Sequence, residues 1–143
     1  MNYSRSGLKL TESFEGCKLA AYQDSTGRWT IGYGHTGHDV YPGLEITQIQ
    51  AEQFLLQDVQ WASECINRLV MIQLSQSEFD ALVDFCFNVG CGNFAGSTLL
   101  KLLNAGNISA AAQEFDKWDH AGGKVVAGLL RRRQAETAEF TGA

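Results

Sequence analysis

A mainly helical α+β fold, with a small β-containing lobe set near the start of a helical domain, is predicted by three features of this 143-residue chain. Residues 14 to 36, FEGCKLAAYQDSTGRWTIGYGHT, combine β-type residues with glycines in a stretch that does not read as a helix. Two capping boxes follow, Thr47 with Gln50 and Ser75 with Glu78, each opening a run of helical periodicity. Apolar residues make up 45% of a chain with one proline, enough for a single domain with its own core. The predicted division is a β-containing lobe over about 15–57 and a helical lobe over about 1–14 and 58–143, with a cleft between them.

Taken in order, Ser4 to about Phe14 forms a short helix with Leu8 and Leu10 among its apolar residues, stopped at Gly16. From Cys17 to Thr36 the chain forms a β-hairpin or small sheet, turning at DSTG, where Asp24 and Gly27 suit the first and last positions of a type I turn. Gly32 and Gly34 alternate along the strand, leaving one face bare for a flat ligand. YPGLEIT is a loop, and the Thr47 cap starts a long helix to about Leu69, with Phe54, Leu55, Ala62, Cys65, Ile66 and Leu69 on its buried face. The Ser75 cap starts a helix whose FDALVDFCFNVG is apolar nearly all round, as befits the centre of a core. STLLKLLNAG and the segment from Ser109 to Trp118 are short helices, HAGGKVVAG is a loop, and the last helix runs from about Leu129 to Phe140.

A formal net charge of -5 argues against nucleic acid as the main partner, although Arg131, Arg132 and Arg133 in LLRRRQAE form a local positive patch. The first twenty residues are interrupted by charges, so neither a membrane span nor an export signal is expected, and the protein should accumulate in the cytoplasm. Cys17, Cys65, Cys86 and Cys91 show neither a CxxC zinc signature nor the density of a secreted disulfide scaffold, which predicts four free, buried thiols. His35 and His38 lie far in sequence from any cysteine pair, so no metal is expected.

The chemistry concentrates in the opening stretch. Two carboxylates and a hydroxyl at one cleft are what glycoside hydrolysis needs: one acid to protonate the leaving oxygen, and a second group to activate water or stabilise charge on the sugar. Glu15, beside Phe14 at the negative end of the first helix, suits the general acid. Asp24 on the turn should stay ionised, and Thr30 can present its hydroxyl to the same water. Read singly, each is also an ordinary structural residue: a turn former, a strand threonine, a charge beside a helix stop.

In combination, Glu15, Asp24 and Thr30 in E-x8-D-x5-T, followed by I-G-x-G-H, closely resemble the phage-type lysozymes of glycoside hydrolase family 24, the family of the T-even phage lysozyme and lambdoid phage endolysins. FDALVDFCFNVGCGNFAGSTLLKLLN and GLLRRRQAE look like further segments of that family in the same order, so the resemblance covers essentially the whole chain. It implies a lysozyme-like fold and cleavage of the β-1,4 bond between N-acetylmuramic acid and N-acetylglucosamine in peptidoglycan, lysing the host at the end of the phage cycle. Glu15 becomes the acid, and Asp24 with Thr30 holds the attacking water in an inverting scheme without metal or cofactor. The resemblance further implies a structural salt bridge between His35 and Asp58, substrate contacts at Thr36, Phe87 and Asn88, and Arg132 approaching Glu15 or the substrate. With no signal-anchor or wall-binding segment, release through a separate holin into the periplasm and action as a monomer are expected. The rivals are a module that binds peptidoglycan without cutting it, a lytic transglycosylase using one glutamate, and a nucleic-acid binder built on the arginine run. The filled Asp24 and Thr30 positions stand against the first two.

Overall fold

The computed structural model describes residues 1–142 and divides into two compact units, Leu8–Gln60 and Met1–Gly7 with the chain from Trp61 onward. Helix α1 (Arg5–Phe14) leads into a three-stranded antiparallel sheet of β1 (Lys18–Gln23), β2 (Trp29–Gly32) and β3 (His35–Thr36), with β2 in the middle. The outer edge of β1 is covered by the following loop, where Ala21 N–H donates to Leu44 O and Ile46 N–H to Leu19 O, both at 2.9 Å.

The inner side of this sheet is closed by helix α2 (Gln48–Asp58), which opens on the Thr47 capping box and buries Ala51 and Leu55, Ile31 of β2 being equally sequestered. Gly32 sits here at φ 65°, and a Cβ added to it would lie 3.4 Å from the Ala51 methyl. The expected bare glycine face is therefore corrected. Gly32 is buried near α2 rather than open to a ligand, and Gly34 lies in the turn between β2 and β3 rather than on a strand.

The long helix expected from Thr47 to Leu69 is two helices, α2 and α3 (Gln60–Leu69), separated at Val59. No glycine or proline causes this break. At the break Val59 has φ −80° and ψ −7°, and its N–H is shared between the Leu55 and Gln57 carbonyls, a local tightening of the helical turn.

Helix α4 (Gln76–Val89) starts at the Ser75 capping box and buries every residue from Phe79 to Cys86, as its apolar composition predicts. Helices α5 (Cys91–Ala95), α6 (Thr98–Asn104) and α7 (Ile108–Ala112) follow, then a 3-10 turn (Phe115–Lys117) where the sequence suggested helix as far as Trp118. The C-terminal helix α8 (Ala127–Thr141) packs on α4. Phe85 is the hub of this core: the rings of Phe94, Phe115 and Trp118 meet it edge-on at centroid distances of 6.3, 5.3 and 5.6 Å.

Two further expectations are corrected. HAGGKVVAG is not a plain loop but a hairpin of β4 (His120–Ala121) and β5 (Lys124–Val125), turned by Gly122 and Gly123 at φ 59° and 79°. Positive φ at both central residues is the type I′ geometry that two-residue hairpins favour and glycine supplies without strain. Nor are the cysteines four buried thiols: Cys65 of α3 and Cys91 of α5 are joined as a disulfide, Cys17 is exposed, and only Cys86 is a buried free thiol. The helices set the Cys65 and Cys91 Cα atoms 6.1 Å apart, within disulfide reach, a convergence that residues 26 apart in sequence do not announce.

Candidate active site

Glu15 follows the last residue of α1, where its backbone N–H still donates to Thr11 O at 3.0 Å, so the helix fixes its Cα although the side chain is only half-buried. Asp24 stands at the end of the β1–β2 hairpin. Its Oδ1 accepts from the Thr26 hydroxyl at 2.7 Å and from the backbone N–H groups of Thr26 and Arg28, both at 2.9 Å. The Thr26 hydroxyl, then the Arg28 amide, hold the Asp24 carboxyl below the usual carboxylate range. The turn reading and the ionised-carboxylate reading of Asp24 thus describe one arrangement, since the donors that fold the loop also keep the charge and fix its direction. The second oxygen, Oδ2, faces Arg28 Nε at 4.0 Å.

Thr30 is the buried centre of the sheet, opposite Tyr22 on β1 and Thr36 on β3. Its hydroxyl donates to the Arg28 carbonyl at 3.0 Å, which leaves the oxygen lone pairs to accept from another donor. Arg28 therefore links Asp24 and Thr30 through its backbone, by its N–H to one and its C=O to the other. Thr36 is half-buried beside Thr30.

One residue past the end of β2's turn, His35 is buried between two carboxylates. Nδ1 lies 2.9 Å from Asp58 Oδ2 at the end of α2, and Nε2 lies 2.9 Å from Asp39 Oδ1. The ring stacks parallel on Phe54 of α2 at a centroid distance of 4.0 Å. Burial alone would disfavour the imidazolium, but hydrogen bonds to Asp58 and Asp39 outweigh it and raise the His35 pKa above its ordinary value. Asp39 has no counterpart in the sequence reading; its spacing of four residues from His35 was the available signal.

The remaining candidates belong to the other unit. Phe87 on α4 is half-buried and meets the exposed ring of Trp61 at 5.8 Å. Asn88 is exposed and lines a hollow of about 270 Å³ with Asn93, Trp118, His120, Leu129 and Arg133. Arg132 is 5% exposed and makes a two-pronged pair with Asp84, Nε to Oδ2 at 3.0 Å and Nη2 to Oδ1 at 2.9 Å. Arg133 is fully buried, with Nη2 donating to Glu136 at 2.9 Å and its guanidinium over the Phe85 ring at 5.0 Å. The three-arginine surface patch is thereby corrected. Only Arg131 is exposed, because Asp84 and Glu136 draw the other two into the α4–α8 interior.

Among the described residues no helix is long and apolar enough to cross a membrane. The chain is 46% identical over 142 residues to an endolysin of Bacillus phage B103, covering 98% of this chain and 54% of that protein. It thus spans about half the length of the Bacillus phage relatives it matches. A structure of a P22 lysozyme mutant superposes with a TM-score of 0.93 at 41% identity, covering 99% of both chains. The muramidase domain of SpmX from Asticaccaulis excentricus superposes with a TM-score of 0.89 at 41% identity, covering 97% of each chain. These likenesses extend over the two units, the lysozyme-like α+β fold is shared with both solved structures, and the phage lysozyme model matches residues 12–136: the chain belongs to the phage lysozyme family.

Proposed function

We propose that this chain is a peptidoglycan hydrolase, a lysozyme of the glycoside hydrolase family 24 type, that cleaves the β-1,4 bond between N-acetylmuramic acid and N-acetylglucosamine. The observation that carries the reading is the Arg28 backbone bridge, which holds an ionised Asp24 and the lone pairs of Thr30 from one peptide segment, within the same unit as Glu15. The endolysin, lysozyme and muramidase names of the relatives support it.

In this scheme Glu15 protonates the glycosidic oxygen as the bond to the leaving sugar breaks. Water attacks the opposite face of the sugar ring, donating one hydrogen bond to Asp24 Oδ2 and one to Thr30 Oγ1, and gives up a proton to the carboxylate side. Oδ2 is the oxygen for this role because Oδ1 already accepts three bonds. An acid on one face and a water held on the other give inversion at the anomeric carbon. Thr36, Phe87, Asn88 and Arg132 are the proposed substrate contacts, Arg132 approaching Glu15 or the substrate with its guanidinium also held by Asp84. No metal or cofactor enters the scheme. The biological setting we propose is an endolysin that acts as a monomer on the wall in the periplasm, after release from the host cytoplasm through a holin.

The test is digestion of purified Gram-negative peptidoglycan by the wild type and by Glu15→Gln, with mass analysis of the released muropeptides. Reducing N-acetylmuramic ends from the wild type alone are expected. Anhydro ends would replace the proposal with a transglycosylase, and wall sedimentation without release would reduce it to a binding module.

A further inference from the structure

Three cysteines from three helices converge in the interior of the helical unit. The sulfurs of Cys65, Cys86 and Cys91 all lie within 4.8 Å of one another, Cys65 and Cys91 as the disulfide and Cys86 as the buried free thiol beside it. We propose that, once the disulfide is reduced, these three residues form a binding site for a soft monovalent cation of the Cu(I) type. The lysozyme reading plays no part in this proposal.

Geometry and donor chemistry select the ligand class. A three-coordinate cation about 2.3 Å from each sulfur would set the sulfurs about 4.0 Å apart. Cys86 Sγ already lies within 4.8 Å of both of the others, and the Cys65 and Cys91 sulfurs would separate to that distance once their bond is reduced. Cys86 and Cys91 stand in C-x4-C spacing, and Cys65 closes the site from α3. The donor set is all sulfur, which favours Cu(I) over oxygen-seeking cations, and three ligands suit Cu(I) better than zinc, whose structural sites use four. Arg68 Nη2 lies 3.5 Å from Cys91 Sγ and places a positive charge beside what would be three thiolates around one cation. Cys91 is only half-buried, which gives an approach from solvent, whereas Cys86 is sealed.

The steps balance with a dithiol as reductant. The dithiol passes two electrons and two protons to the Cys65–Cys91 bond, yielding two thiols, and closes into its own disulfide. One cation then displaces three protons and binds three thiolates. The cluster would thus tie α3 to the start of α5 in either redox state, by the sulfur–sulfur bond when oxidised and through the metal when reduced, and would engage α4 through Cys86 only in the metal-bound state.

The experiment titrates dithiol-reduced protein anaerobically with Cu(I) against a chromophoric Cu(I) chelator, alongside Cys86→Ala and Cys17→Ala. One Cu(I) per chain is expected for the wild type and for Cys17→Ala, with affinity lower by at least about 100-fold in Cys86→Ala. The oxidised wild type should not bind with this affinity. Equal binding by the wild type and Cys86→Ala, or loss of binding in Cys17→Ala, would overturn the proposal. Independently of any variant's folding, Cu(I) should slow alkylation of Cys65, Cys86 and Cys91 together while leaving Cys17 reactive. Protection of Cys17 alone, or of no cysteine, would also overturn it.

Discussion

The polar groups of the hairpin segment and those of the α4–α8 interior are held by opposite means. Asp24 and Thr30 are fixed by partners within four residues, mostly backbone, Asp24 on a turn that water reaches and Thr30 buried on the strand that follows it. Asp84 and Arg132 are 48 residues apart, meet side chain to side chain, and are sealed from water. Local backbone bonds orient a group at small cost to the fold when that group is changed. A buried long-range pair makes the fold depend on both partners, because a charge deprived of one cannot recover the loss from solvent. The hairpin residues should therefore affect chemistry without stability, and the interior residues stability first.

The sharpest separation is expected at Glu15→Gln. Muropeptide release should fall by about 10²- to 10⁴-fold, the range for loss of a general acid, with the urea midpoint nearly unchanged. A large stability loss would break the distinction between the two regions. Asp84→Ala should do the reverse, costing about 3–5 kcal/mol in urea unfolding, because a partner of the buried Arg132 is removed. Breaking the Cys65–Cys91 disulfide, by Cys91→Ser or by a dithiol in the absence of metal, should cost about 3.5 kcal/mol for a closure spanning 26 residues.

A titrating case lies between these extremes. Asp58→Asn should cost about 1–2 kcal/mol, as expected for a charged hydrogen bond with a partly exposed acceptor. Because the folded pKa of His35 is raised, the stabilisation is complete below the unfolded value of about 6.5 and is lost as pH rises through the folded value. Unfolding free energies across that range check the sign, and an Asp58→Asn penalty that grows with pH would refute it. The smallest expected effect compares the two capping boxes: Thr47→Ala and Ser75→Ala should each cost about 1 kcal/mol, one in each unit.

Much of this architecture was legible in the sequence where short-range chemistry decides it. Both capping boxes, the apolar α4 and the DSTG turn depend on residues a few positions apart, and the turn that fixes Asp24 is written in the same four letters. The β4–β5 hairpin escaped because two-residue strands carry no periodicity, although Gly122–Gly123 was a usable turn signal. Burial of Arg132 and Arg133 escaped for a different reason. A run of three arginines reads as a solvated face until Asp84, on another helix, is known to meet it, and the disulfide likewise required the spatial convergence of α3 and α5. For the candidate site, the residue types and their spacing were readable, whereas the Arg28 backbone bridge and the second carboxylate on His35 needed coordinates.

The placement of Trp29 in β2, next to Thr30, gives the molecule an optical consequence. It is the one tryptophan of the Leu8–Gln60 unit, while Trp61 and Trp118 belong to the other. Replacing those two by phenylalanine would turn intrinsic fluorescence into a private signal of the small sheet. Emission from Trp29 could then be followed during heating or saccharide titration, separately from the far-ultraviolet dichroism dominated by the helices.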